Sequence, residues 1–335
     1  MKIADFWQKT DSTILCTLCP HHCKLKEREF GICGVRQVKN GELVTHVYEC
    51  AIATHVDPIE KKPLFHVYPG SRSFSVATVG CNFKCGFCQN HEISQIPANG
   101  YIGGQDLPVE SVVDLALDYG CKTIACTYTE PTIYFEYAYD IAKLAAERGI
   151  ETVFISNGYT NPKPLEKIAP FLTAANIDLK GWSDSFYDEV IGGELKPVLN
   201  ALKKYRQLGI FIEVTTLVVS GHVDNEDSLR DIAKFIKNEL GEETPWHLSR
   251  FYPQFDFDHV SPTSSKIIAR GREIGFKEGL RYVYSGNLPG DAGENTFCWK
   301  CGAELIHRRG YQILENKIQH GQCPECRADI DGVGL

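Results

Sequence analysis

The chain lacks any run approaching the roughly 18 apolar residues that a membrane-spanning helix needs. Its opening residues, Met-Lys-Ile-Ala-Asp-Phe-Trp-Gln-Lys, hold no apolar stretch of the kind a secretory signal requires. The expectation is therefore a cytoplasmic protein without membrane association. Positive charge is not in excess either: 35 Lys and Arg face 43 Asp and Glu, for a net charge of −8. A broad nucleic-acid-binding face needs clustered basic side chains to neutralise phosphates. This balance argues against such a face while leaving room for a local basic patch. Long internal repeats and low-complexity tracts are also missing. What remains is the balance of a globular protein, with 43% hydrophobic and 23% charged residues. At 335 residues there is room for one large catalytic domain with small appendages, or for two domains.

Cysteine is abundant, and in a cytoplasmic chain that points to metal sites and away from disulfides. Eleven of the 14 fall in three tight clusters: Cys16, Cys19, Cys23 and Cys33; Cys81, Cys85 and Cys88; and Cys298, Cys301, Cys323 and Cys326. Cys50, Cys121 and Cys126 stand apart and are expected to be small buried hydrophobes.

Between the outer clusters, strand-like and helix-like segments alternate. Ser73–Val79, Lys122–Cys126, Glu151–Ile155, Ala174–Leu179, Ile210–Val218 and Trp246–Arg250 read as strands, with Tyr282–Tyr284 as a further candidate. Helical patterns fall between them, several ending at a glycine such as Gly149, Gly209 or Gly241. Repeated βα units imply an α/β fold with parallel strands. About six units fall short of the eight of a full TIM barrel, and an open doubly wound sheet fits the periodicity equally well. The expected divisions are a cysteine-rich N-terminal module over 1–70, a core over 71–287 and a C-terminal module over 288–335. The first should contain a hairpin turning at Asn40-Gly41, and the last opens with a Leu-Pro-Gly-Asp-Ala-Gly linker.

Cys81-Asn-Phe-Lys-Cys85-Gly-Phe-Cys88 follows directly on the first core strand. Loops after strands gather at the mouth of a parallel barrel, where active sites sit. Three thiolates can cap three irons of a cubane cluster and leave the fourth iron open, whereas purely electron-carrying clusters use four. The competing reading is a zinc site completed by His91, or a buried cysteine group.

The spacing Cys81-x-x-x-Cys85-x-x-Cys88, with Phe87 before the last cysteine, resembles the signature of the radical SAM superfamily, and Gln89-Asn90 is similar to the same stretch of glycyl-radical-enzyme activases. The resemblance implies a 4Fe–4S cluster whose open iron is chelated by S-adenosylmethionine. It implies reductive cleavage to methionine and a 5′-deoxyadenosyl radical, which takes hydrogen from a substrate. A small electron-carrier protein such as flavodoxin or ferredoxin is then the implied reductant. Carried over position by position, Thr129 and Glu130 match the motif that binds the methionyl ammonium, although Thr and Tyr replace its glycines. Asn157-Gly158 is similar to the turn that contacts the ribose. Asp178-Leu179-Lys180 resembles the activases' motif, with Lys180 on the methionyl carboxylate and Asp178 in the same polar ring. Val219, after the fifth strand, is placed to back the adenine. Each has a plainer reading: a helix N-terminal acid for Glu130, an ordinary turn for Asn157-Gly158, a salt bridge for Asp178 and Lys180. His247 and Arg250, on the sixth strand, are expected to face the interior, Arg250 as a candidate for a substrate carboxylate or phosphate.

Cys298-x-x-Cys301 and Cys323-x-x-Cys326, about twenty residues apart, have zinc-ribbon spacing. A single rubredoxin-like iron is the alternative. The N-terminal four suit either zinc or an auxiliary iron–sulfur cluster, with His21 or His22 able to replace one cysteine. Cys19-Pro-His-His-Cys23, Val56-Asp-Pro-Ile-Glu-Lys-Lys-Pro63, Trp246-His-Leu-Ser-Arg-Phe-Tyr252 and the ribbon together resemble the AmmeMemoRadiSam system radical SAM enzymes. Nearly the whole chain is covered by this likeness to proteins described as pyruvate formate-lyase activating enzyme-like. It implies a partial (β/α)6 TIM-like barrel and association with Memo-family and AMMECR-family proteins. Three functions compete. One is a radical enzyme acting on a small molecule, RNA or protein in a Memo-linked system, and another is a glycyl-radical activase. The third is a zinc-stabilised binding module, which leaves the three-cysteine loop without a reason.

Overall fold

The computed structural model describes residues 1–95 and 102–335. Its centre is an eight-stranded sheet whose strands are β1 (Ala53–Pro58), β2 (Arg72–Ala77), β3 (Thr123–Cys126), β4 (Glu151–Ser156), β5 (Ala174–Asp178), β6 (Phe211–Val218), β7 (Trp246–Arg250) and β8 (Val283–Gly286). Each strand lies beside the one before it in sequence. β2 to β8 run parallel, and β1 pairs antiparallel with β2. A doubly wound sheet requires the strand order to reverse. Here it never does, so that alternative is excluded. The parallel run has seven strands joined by six crossovers, the six βα units and the further strand at Tyr282–Tyr284 that the periodicity suggests.

The crossovers are α1 (Val109–Asp118), α2 (Phe135–Glu147), α3 (Pro162–Ile168), α4 (Leu195–Gln207), α5 (Glu226–Phe235) and α6 (Ser265–Glu278). Right-handed connections that always advance in one direction place every helix on one face of the sheet. The core divides accordingly. Ile124, Cys126 and Phe154 pack with the helices, whereas Ala125, Val153 and Ala174 pack on the opposite face against Ile59, Leu64 and Val67. Both faces are thus covered, and the strands are correspondingly apolar. Gly275 lets α6 approach the sheet, because a Cβ there would lie 2.8 Å from Val283. Among the described residues no helix is long and apolar enough to cross a membrane.

The N-terminal residues form two small antiparallel sheets. One contains the expected hairpin, Arg36–Lys39 against Glu42–Thr45, turning on Asn40 and Gly41, both with positive φ. This layer packs on α2, through a buried Arg36–Glu136 ion pair of 2.9 Å and an edge-on Phe6–Phe135 contact. The chain enters the central sheet at Ala53, before residue 70. At the other end, Thr296–Phe297, Glu304–Arg309 and Gln312–Asn316 make a three-stranded sheet that shares a core with Phe65, Tyr282 and Tyr284. The glycine-rich stretch leading to it is pinned by Asp291, which accepts from the Gly293 amide at 2.7 Å.

Candidate active site

The segment after β2 turns on Gly80, whose φ is +96°, and delivers Cys81, Cys85 and Cys88. Main-chain bonds tie this loop to the segment after β5: the Lys84 amide donates to Ile191 O at 2.8 Å and that of Gly86 to Val190 O at 3.2 Å. Gly86 is required by close approach, since a Cβ would meet the Phe257 ring at 2.8 Å. Phe87 is buried and stacks on Phe186, with Phe257 edge-on to it. Cys81 Sγ accepts from the Phe83 amide at 3.4 Å and the Asn157 side chain at 3.7 Å.

Burial pushes the Cys81 thiol well above its ordinary pKa and Cys85 up to about 12. Thiolates at these positions therefore need a cation beside them. Among the described residues, only the C-terminal four cysteines form a group of three or more ligand atoms within 4.8 Å of one another. The central three stand too far apart for a single ion, and His91 does not complete one: its ring stacks on Phe255 and its Nδ1 faces Cys88 O at 3.2 Å. Three separated thiolates around an open side suit a cluster in which each sulfur holds a different iron.

Strand ends β3, β4 and β5 bring the next residues to this loop. Glu130 caps the turn Pro131–Tyr134 and accepts from the Thr132 amide (2.9 Å), Ser156 Oγ (2.9 Å) and the Asn157 amide (2.7 Å). It is fully buried, which raises its pKa despite these donors. Asn157 donates to Asn82 Oδ1 at 2.8 Å and joins the β4 turn to the cysteine loop. Thr129 donates to Thr78 O at 2.8 Å. Lys180 Nζ lies 2.9 Å from Asp178 Oδ2. Burial opposes the lysine's charge, but Asp178 and Cys85 outweigh it and hold the pKa above the ordinary value.

These side chains line a cavity of about 590 Å³, within the range of small-molecule sites. Cys81, Cys85, Phe87, Cys88, Thr129, Glu130, Asn157, Asp178, Lys180 and His247 all contribute to its wall. Val219 and Arg250 do not. Val219 is wholly buried in the core. Arg250 is three residues from His247, and side chains on a strand alternate faces, so the two cannot share the interior. Its guanidinium instead bonds Thr263 O and Tyr252 Oη. The expectation that it faces the site is corrected.

Other wall residues come from outside the cofactor-binding motifs, Lys62 and His247 from the stretches that carry the family resemblance. Lys62 bonds Asp57 at 2.7 Å and lies over the Tyr128 ring, while Asp57 also accepts from Ser75 and Tyr128. His247 pairs with the buried Glu213 at 2.6 Å, and Glu213 further accepts the amides of Phe65 and His66. Glu294, Gly310 and Tyr311 reach the wall from the C-terminal module. The lone acid in the apolar strand Phe211–Val218 was a signal available for Glu213; nothing local marks Glu294 or Tyr311.

The C-terminal cysteines gather as expected, with Cys298 Sγ 3.6 Å from Cys326 Sγ and Cys301 Sγ 3.7 Å from Cys323 Sγ. They can hold a metal ion.

Comparison with known proteins agrees with this geometry. The family model described as the Radical SAM superfamily matches residues 75–236, from within β2 to just beyond α5. An uncharacterized protein of Methanocaldococcus jannaschii is 43% identical over 334 residues, 99% of each chain. The pyruvate formate-lyase-activating enzyme of Clostridium pasteurianum is 25% identical over 189 residues, covering 53% of this chain and 76% of that one. The crystal structure of a radical SAM methyltransferase from Sphaerobacter thermophilus shares the fold with a TM-score of 0.51 at 16% identity, over 68% of this chain and 71% of that one.

Proposed function

Because the chain belongs to the radical SAM superfamily and is a radical S-adenosylmethionine enzyme, we propose that Cys81, Cys85 and Cys88 hold its 4Fe–4S cluster at the wall of the cavity of about 590 Å³. When bound, the cluster supplies the electron that cleaves S-adenosylmethionine to methionine and a 5′-deoxyadenosyl radical, the species that takes hydrogen from the substrate. The rest falls to the protein's own residues. Lys180, held by Asp178, receives the methionyl carboxylate. Glu130 faces the ammonium with the lone pairs its three donors leave free. Asn157 holds the ribose, and Thr129 and Phe87 shape the adjoining wall; Val219, sealed in the core, does not reach the cavity where the adenine would lie. The observation that carries this reading is the convergence of the three thiols, Glu130, Asn157 and the Asp178–Lys180 pair on one cavity.

A partial (β/α)6 TIM-like barrel is part of the same proposal. Supporting it, Glu213 on β6 reaches the amides of Phe65 and His66, as expected of a sheet curved around that segment. Among the described residues its edge strands β1 and β8 do not pair with each other. The C-terminal four cysteines are assigned zinc, since Zn²⁺ favours closed tetrahedral Cys₄ sites.

The substrate is placed in a Memo-linked system, with Memo-family and AMMECR-family proteins as partners and flavodoxin or ferredoxin as electron donor. The C-terminal module's share in the cavity wall favours this over the second reading, a glycyl-radical activase, which the likeness to the Clostridium pasteurianum enzyme favours. The test is anaerobic purification with iron and sulfide counting, then reaction with S-adenosylmethionine and a reductant. Wild type should yield 5′-deoxyadenosine, and a chain with Cys81, Cys85 and Cys88 all changed to Ala should not. A variant that keeps all its iron, beside a wild type that makes no 5′-deoxyadenosine, would end the proposal.

A further inference from the structure

The two outer cysteine sets differ in how closely their sulfurs approach. In the C-terminal set the four lie within 4.8 Å of one another, with pairs at 3.6 and 3.7 Å. Zn–S bonds of about 2.3 Å put tetrahedral sulfurs about 3.8 Å apart, so this is the packing of four thiolates on one ion. Among the described residues no other such group is so tight.

Cys16, Cys19, Cys23 and Cys33 nevertheless converge. The sulfurs of Cys23 and Cys33 lie 3.6 and 3.7 Å from the Cβ position of Gly31. The Cys16 amide donates to Cys23 O at 2.9 Å, closing a loop that contains Cys19. Cys16 and Cys33 are buried. Neither neighbouring histidine takes a cysteine's place: His21 Nε2 is engaged by Asn82 O at 2.7 Å, and His22 is exposed. The set thus has four thiols that face one another, two of them buried, and like those of the central loop their sulfurs do not gather within 4.8 Å of one another. A single ion cannot span it without drawing the sulfurs together, whereas a multi-iron cluster gives each sulfur its own iron.

From this spacing we infer that Cys16, Cys19, Cys23 and Cys33 hold a second iron–sulfur cluster and not a zinc ion. With four cysteine ligands no iron is left open, so the cluster is closed to substrate and suited to carrying electrons. It lies against the active site. The His21–Asn82 bond joins its loop to the residue after Cys81, and the Tyr159 ring packs between His21 and Phe83 at 4.9 and 4.8 Å. Zinc at this position has no redox chemistry to offer.

The test uses the full chain with Cys81, Cys85 and Cys88 changed to Ala, purified anaerobically. It should keep about four irons and four sulfides with one zinc, and on reduction show the paramagnetic signal of a one-electron-reduced cluster. Two zincs and no iron would overturn the inference. In a chain that retains the central cysteines, Cys19→Ser with Cys23→Ser should halve the wild-type iron and leave zinc unchanged. Should these chains fail to fold, wild type decides: about eight irons and one zinc support a second cubane, and about four irons and two zincs refute it. Equal iron in wild type and the triple variant would sink the central-loop assignment while leaving this one standing.

Discussion

Asn82 lies between Cys81 and Phe83 with no exposed surface, and its side chain uses both ends. Its amide donates to Tyr159 O at 2.8 Å and its carbonyl accepts from Asn157 at 2.8 Å, so one residue sets the cysteine loop against the β4 turn. Removing it leaves a buried carbonyl and a buried amide short of partners, at a cost of about 1–3 kcal/mol. Asn82→Ala is expected to lose that much in urea unfolding. It should also slow 5′-deoxyadenosine formation roughly ten- to a hundredfold at unchanged iron content, because small misplacements at a reacting centre are costly. Unaltered turnover would show that Asn82 does not position the loop. Neither bond follows from the cysteine spacing. An asparagine inside a metal loop reads equally well as a turn residue.

At the scale of elements, the N-terminal layer and α2 meet through one ion pair with almost no solvent contact, both side chains being 2% exposed. Glu136 also accepts the Asp5 amide at 2.7 Å, so the pair organises the chain's first turn as well. Breaking such a pair by removing one partner strands a buried charge, at about 3–5 kcal/mol, whereas replacing both with apolar residues is often nearly neutral. Arg36→Ala should therefore unfold in urea with a loss of that size, and Arg36→Met with Glu136→Leu should recover most of it. If the double variant were as unstable as the single one, the contact would be valued for its hydrogen bonds and not for its charge balance. Glu136 is buried on α2, four residues from the more exposed Asp140, and nothing local marks it for burial. Which basic residue would meet it, a hundred positions away, was not legible.

Across the whole molecule, His66 is where the segment after β1, strand β8 and the chain's last residues meet. Its Nδ1 lies 2.6 Å from Asp331 O, a carbonyl that can only accept, so Nδ1 carries the proton and Nε2 accepts from Tyr284 Oη at 2.6 Å. Burial lowers its pKa and keeps the folded ring neutral. The unfolded chain takes up that proton near the ordinary value of about 6.5, the folded chain only at lower pH, so stability falls as pH drops through that range. Between about pH 7.5 and 5.5 the wild type should lose stability in urea unfolding more steeply than His66→Gln. Parallel slopes for the two would remove His66 from this role.

The sequence by itself determined the chemistry that depends on short spacing. Cys81, Cys85 and Cys88 sit on one loop, so their separation along the chain already describes their grouping. The βα alternation likewise follows from local periodicity. The opposite faces of His247 and Arg250 are written in their spacing of three along a strand. The tertiary structure alone decided what depends on distance through space. It ordered the strands without reversal, and brought Lys62, His247, Glu294 and Tyr311 to the cavity that Cys81 lines. It also drew the sulfurs of the C-terminal four within 4.8 Å of one another and not those of the N-terminal four, because sulfur-to-sulfur distance is set by how the flanking backbone folds around each loop. On that distance rests the proposal of one ion at the first set and a cluster at the second.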